Sequence, residues 1–216
     1  MTTPFAFPVF LEVRGRRCLV VGGGREARHK AIALADLGAR VVVSDPEHRA
    51  TADLAGRPGI ELHHGPFEGH LVEGVLLAIV AADDRAERRR IATEARAAGV
   101  LVNAVDENDL CDWAAPAILR RGALTIALGT GGFAPALAVR LRDRLADEIG
   151  GEHADLVELF ADVRPRIAAS GRSFADRRRL WYALVDGPAL DELRAGRASA
   201  AREAVLAAID AWEAAP

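Results

Sequence analysis

Thiols are nearly absent from this chain: Cys18 and Cys111 are the only two cysteines in 216 residues. Two such distant thiols make neither a disulfide framework nor a thiolate metal site. No apolar run approaches the roughly 20 residues that cross a bilayer as a helix. Met1 to Phe10 lacks a basic segment followed by an apolar stretch and a cleavage site. These absences lead to the expectation of a cytoplasmic protein without membrane contact. Lysine is scarce too, Lys30 standing alone among many arginines. A formal net charge of −3 offers no basic stripe to a nucleic-acid partner. The six histidines form no metal motif, since His63 and His64 would point to opposite faces of a strand. No metal site is expected. His29 reads as a packed or surface residue, and Cys18 as a small core residue.

What is present is a short apolar run closed by glycines: Cys18-Leu19-Val20-Val21-Gly22-Gly23-Gly24-Arg25-Glu26-Ala27. Gly22, Gly24 and Ala27 fit the dinucleotide fingerprint G-x-G-x-x-G/A. The first glycine permits a tight turn and the second lets backbone approach a pyrophosphate. The small third residue lets the following helix lie close on the strand. The anion then meets free N–H groups at the helix N-terminus. A second run, Ala39 to Asp45, ends in an acid roughly 20 residues beyond the glycines, where a carboxylate accepts from a ribose 2′-OH. Asp45 favours NAD over NADP, because it repels a 2′-phosphate.

Apolar strands alternate with helical segments through the first two-thirds. Strands are expected at Cys18–Val21, Val41–Ser44, Ile60–His63, Leu76–Ala81, Val100–Asn103 and Leu124–Leu128. Helices are expected at Glu26–Leu37, Glu47–Leu54 and Arg85–Ala98. This pattern predicts an α/β fold, a Rossmann-like doubly wound parallel sheet. After about Ala134 only helical periodicity remains: Pro135–Ile149, Ala154–Ala169, Phe174–Val185, Pro188–Ala195 and Ser199–Glu213. The expected division is therefore an NAD-binding domain over residues 1–133 and a helical region over 134–216. Leu156, Leu159, Phe160 and Val163 read as core or dimer surface.

Ligands of a doubly wound sheet bind beyond the carboxyl ends of its strands. Ala81 and Ala82, after the fourth strand, are small enough for a dinucleotide to lie on their backbone. Asp83 or Asp84 caps the helix that follows. Asn103 and Asp106 stand at the end of the fifth strand. A partly desolvated carboxylate there can take the proton released in hydride transfer; position alone leaves turn capping as an equal reading. Gly129-Thr130-Gly131-Gly132-Phe133-Ala134-Pro135 is a second glycine turn, whose N–H groups and hydroxyl suit an anionic substrate. Arg120, Arg121, Arg140 and Arg142 add positive charge nearby in sequence.

Taken together, these segments resemble the precorrin-2 dehydrogenase family, which includes bifunctional dehydrogenase/ferrochelatases and the N-terminal part of sirohaem synthase. The resemblance runs through Phe7–Leu11, Val20–Lys30, Gly65–Phe67, Ala78–Asp84, Leu101–Asp106, Pro116–Ile118 and Leu124–Pro135. It continues into Arg177–Trp181. It implies NAD-dependent oxidation of precorrin-2 to sirohydrochlorin, with Fe2+ or Co2+ as a further substrate where chelatase activity is present. Asp106 falls on the family's key aspartate. Gly22, Gly23, Gly24, Arg25, Glu26, Asp45, Pro46, Glu47 and Ala81 fall on the cofactor side. Asn103, Thr130, Gly131 and Gly132 fall on the substrate side. The helical tail resembles a region that forms a homodimer and covers the substrate. Phe133 and Ala134 stand where relatives read Thr-Ser, and Ala82 replaces a usual Thr. A non-catalytic NAD-responsive regulatory module on the same fold is the alternative.

Overall fold

The computed structural model describes residues 7–49 and 51–215. Met1–Ala6, part of the stretch searched for a leader, lie outside the described residues. The described residues form two compact units, those up to Ala115 with Gly131–Phe133, and Pro116–Thr130 with those from Ala134 onward.

The first unit contains β1 (Arg17–Val21), α1 (Arg25–Asp36), β2 (Arg40–Ser44), α2 (Thr51–Leu54) and β3 (Ile60–His63). β4 (Val75–Val80), α3 (Arg85–Ala97) and β5 (Leu101–Ala104) follow. The five strands form one parallel sheet in the order β3-β2-β1-β4-β5. Their side chains alternate between two cores. Leu19, Val21, Ala78 and Val80 pack with Ile91, Ala92 and Ala95 of α3. Cys18, Val20, Val43 and Ile79 pack with Ala27 and Ala31 of α1. Burial on both faces is why these strands read as unbroken apolar runs. Each fully buried Val or Leu contributes about 1.5–3 kcal/mol. Cys18 is a core residue, and burial pushes its thiol pKa up. Strand order reverses between β1 and β4, which leaves a crevice beyond their carboxyl ends.

The second unit opens with β6 (Ala117–Arg121) and β7 (Leu124–Leu128) and continues with α4 (Pro135–Glu148) and α5 (Gly151–Ala169). α6 (Phe174–Val185), α7 (Ala189–Arg194) and α8 (Ala198–Ala214) complete it. Leu156, Leu159, Val163 and Ile167 of α5 bury against Leu180 and Leu184 of α6 and Ala201, Val205 and Ile209 of α8. Their spacing of three and four residues is one stripe per helix. Phe160 packs edge-on to Trp181, with centroids 5.6 Å apart.

Three expectations change. Leu124–Leu128 is a strand but not part of the parallel sheet; it pairs antiparallel with β6. Only Gly122 and Ala123 join the two, and so short a link cannot make a parallel crossover. The hairpin groups with the helices, whereas the expected division ran at 133/134. The helix expected from Glu47 begins at Thr51, because His48 takes a left-handed φ of 57°.

Candidate active site

The β1–α1 turn is shaped by what its glycines exclude. Gly22 has φ 114°, and a Cβ there would lie 2.5 Å from the Ala81 carbonyl oxygen. A Cβ on Gly23 would lie 2.2 Å from the Asp45 carboxylate. Asp45, at 2 % exposure, therefore packs its carboxylate against the turn where β2 ends. Gly24 is different: it is the residue before α1, brings no capping side chain, and has open space where its Cβ would be. The first N–H groups of α1 thus face room for an anion. Arg25 and Glu26 open α1 and are exposed, as are Pro46 and Glu47 beyond Asp45. A dinucleotide fits this set on steric grounds: close backbone at Gly22 and Gly23, open space at Gly24, and a buried acid beside them.

Two arginines absent from the sequence reading hold these loops. Arg28 donates to the carbonyls of Gly23 and Arg49, both at 3.2 Å, and pairs with Asp53 at 2.6 Å. Arg49 pairs with Asp83 at 2.6 Å, joining the β2 exit to the β4 exit. The paired acids after β4 divide their work. Asp84 caps α3, its Oδ1 accepting from Glu87 N–H at 2.7 Å, while Asp83 takes Arg49. Ala81 N–H donates to the Val21 carbonyl at 2.8 Å, and Ala82 is half-buried beside it.

At the β5 exit, Asp106 is exposed rather than partly desolvated, and its φ is 61°. A left-handed aspartate is uncommon and occurs at turns and functional sites. Its neighbour Glu107 is 2 % exposed. Arg85 Nε donates to Glu107 Oε1 at 2.6 Å, and Arg89 reaches Oε2. The Arg85 guanidinium, then that of Arg89, holds the Glu107 carboxyl below the ordinary range. The arginines at 85 and 89, one turn apart at the start of α3, were the sequence signal for this buried acid. Asn103 is half-buried and donates its side-chain amide to the Trp113 carbonyl at 2.9 Å. Cys111 Sγ bonds the Ala104 backbone at 3.2 Å, and burial raises its thiol pKa. Asn103 and Cys111 therefore clamp residues 111–113 beside β5.

In the glycine turn before α4, Thr130 Oγ1 accepts from Ala134 N–H at 3.2 Å. Gly131 and Gly132 have φ of 61° and 82°. Pro135 stands at the first turn of α4, where its missing N–H costs nothing. Arg121 is not an anion ligand here; it donates to the Ile149 and Ala146 carbonyls at the end of α4. Arg142 pairs with Asp143 at 2.5 Å, and Arg140 is exposed. His63 and His64 do diverge: the His63 ring meets His70 edge-on, and His64 stacks on His48. His29 is a surface residue of α1. Among the described residues no group of three or more His, Cys, Asp or Glu is placed to hold a metal. Among them, too, no helix is long and apolar enough to cross a membrane.

Comparison with known proteins adds to this geometry. A family described as putative NAD(P)-binding matches residues 9–117, and one described as the sirohaem synthase dimerisation region matches residues 153–209. The chain is 40% identical over 205 residues to a siroheme synthase of Methylococcus capsulatus, covering 94% of this chain and 43% of that protein. It is 38% identical over 197 residues to a siroheme synthase of Chromobacterium violaceum, covering 91% and 42%. It thus spans less than half the length of these relatives. Among solved structures, SirC, a precorrin-2 dehydrogenase, superimposes with a TM-score of 0.70 at 21% identity, over 92% of this chain and 98% of that one. At that identity the likeness is one of fold, and the fold is the expected Rossmann-like sheet followed by helices.

Proposed function

Because the chain belongs to the putative NAD(P)-binding family and carries the sirohaem synthase dimerisation region, we propose that it oxidises precorrin-2 to sirohydrochlorin with NAD. The observation that carries this reading is the Gly22–Gly24 cradle, with buried Asp45 against it and open space over Gly24. Bound NAD supplies the hydride acceptor. Arg25, Glu26, Pro46, Glu47 and the Ala81 backbone border the cofactor, and Asp45 accepts from its ribose hydroxyls. An acid in that place repels the 2′-phosphate of NADP.

Oxidation of the substrate releases one hydride and one proton. Asp106 takes the proton: its carboxylate is exposed, and the left-handed turn presents it at the strand exit where this fold binds ligands. Asn103 holds that exit in place through Trp113. The N–H groups of Gly131 and Gly132 and the hydroxyl hydrogen of Thr130 serve carboxylates of the tetrapyrrole. The bond from Ala134 N–H uses a lone pair of the Thr130 oxygen and leaves the hydroxyl hydrogen to donate.

Asp106→Asn tests the assignment. NAD binding by calorimetry is expected to stay within about twofold of wild type. NADH formation at 340 nm with freshly made precorrin-2, under anaerobic conditions, is expected to fall about 10²–10⁴-fold. Near-normal turnover removes Asp106 from the mechanism. Tight NAD binding by the wild type with no oxidation of any reduced tetrapyrrole favours the regulatory alternative.

The relatives' name, siroheme synthase, supports insertion of Fe2+ into sirohydrochlorin as a second activity, which displaces two pyrrole protons; exposed Asp106 receives one at a time and passes each to solvent. Anaerobic incubation of sirohydrochlorin with Fe2+ or Co2+ tests it by the absorbance change on metal insertion. The same reading makes the protein a cytoplasmic homodimer, assembled through its helical region.

A further inference from the structure

The β2 and β3 exits are tied together by backbone. Asp45 N–H donates to the His63 carbonyl at 3.0 Å, and Ser44 Oγ donates to the Gly65 carbonyl at 3.2 Å. The tie brings the His48 and His64 imidazoles into a parallel stack, with centroids 4.3 Å apart and planes 9° from parallel. Both residues are exposed. His48 reaches this position through a left-handed backbone at φ 57°, and its N–H donates to the Asp45 carbonyl at 3.2 Å. Histidine is among the non-glycine residues that adopt this conformation, at a modest cost in backbone strain.

Strand order assigns the two rings different places. β3 is the outer strand and β2 lies between it and β1, so His64 is outboard and His48 inboard, toward the glycine turn. His48 also follows Asp45 by three residues, on the ribose side of the crevice. The Arg49–Asp83 pair at 2.6 Å links the β2 exit to the β4 exit, the two strands that flank β1. A flat aromatic ring beside the ribose acid, backed by a second ring, suits a purine base.

We propose that His48, backed by His64, is the stacking surface for the adenine of the dinucleotide, an assignment that rests on the cofactor reading above. Aromatic stacking of this kind changes a dissociation constant by about three- to tenfold.

The test uses the full chain and calorimetric titration with NAD, ADP-ribose and nicotinamide mononucleotide. His48→Gly keeps the left-handed backbone and removes only the ring, which separates stacking from strain. It is expected to raise the Kd of NAD and ADP-ribose by the same three- to tenfold, and to leave nicotinamide mononucleotide unchanged. His64→Ala is expected to give a smaller rise of the same pattern, and His48→Phe to restore affinity. Fluorescence of etheno-adenine ADP-ribose, which lacks a nicotinamide to quench it from within, is expected to fall on binding the wild type and to fall less on binding His48→Gly. Unchanged affinities in His48→Gly, or an equal loss for nicotinamide mononucleotide, would overturn the stacking role while leaving the cofactor reading intact. Absence of NAD and ADP-ribose binding in the wild type would overturn the cofactor reading itself, and this assignment with it.

Discussion

At the β5 exit two adjacent acids are used in opposite ways. Asp106 is exposed in a left-handed turn, and Glu107 is buried under Arg85 and Arg89. The buried member anchors the turn that presents the exposed one. Because its folded pKa is lowered, Glu107 stabilises the protein above the ordinary value of about 4.3, and that stability is lost as pH falls through the lowered folded value. Glu107→Gln is therefore expected to lower the urea midpoint at pH 7. The gap to wild type is expected to narrow below about pH 4, where the wild-type carboxyl also takes up a proton. A gap that persists undiminished at pH 3 would mean that packing, not charge, holds Glu107.

At the scale of elements, α3 shows how one helix can hold two strand exits. It starts at the Asp84 cap and stops at Gly99, whose φ is 78° and whose N–H donates to the Arg96 carbonyl. Its first turns carry Arg85 and Arg89 to Glu107, while Arg88 donates to the Ala82 carbonyl after β4. The cap and the neighbouring ion pair differ in worth. Asp84→Ala is expected to cost about 1 kcal/mol, the usual loss of a capping side chain. Asp83→Ala removes a surface pair and is expected to cost well under about 1 kcal/mol. Urea unfolding of a variant in which Trp181 and Trp212 are Phe checks this, because Trp113 then reports on the first unit. Equal losses would contradict the assignment of Asp84 as cap.

At the scale of the molecule, each of the two units has its own core. The second presents Leu137, Val139 and Leu141 of α4 to solvent at 37–53% exposure. Together with the match to a dimerisation region, this supports the proposed homodimer. Sedimentation equilibrium at micromolar concentration is expected to return twice the 23.0 kDa chain mass. Leu137→Asp is expected to shift the population toward the monomer, and a monomeric wild type would refute the assembly. The helices themselves were legible: Phe174–Val185 agrees to the residue, and the other helices of this unit to within three. The β6–β7 hairpin was half legible, because Arg120 and Arg121 break the apolar run by which a strand is recognised.

What the amino-acid order determined by itself is whatever is local in physical cause. Apolar runs of four to six residues made strands. Gly22 and Gly23 made a turn that has no room for a side chain, and Asp45 ended the second strand beside it. Asp106 was legible as a residue of the β5 exit, since the apolar run of that strand ends just before it. What only the tertiary structure decided depends on groups distant in sequence. That Asp84 caps while Asp83 pairs depends on Arg49. That Glu107 is buried depends on α3, and that Asn103 is a clamp depends on Trp113. The stack of His48 on His64 needs two strand exits brought side by side, which no single stretch of sequence contains. Backbone shape follows from neighbours in the chain, whereas the partner of a charge or a ring follows from neighbours in space.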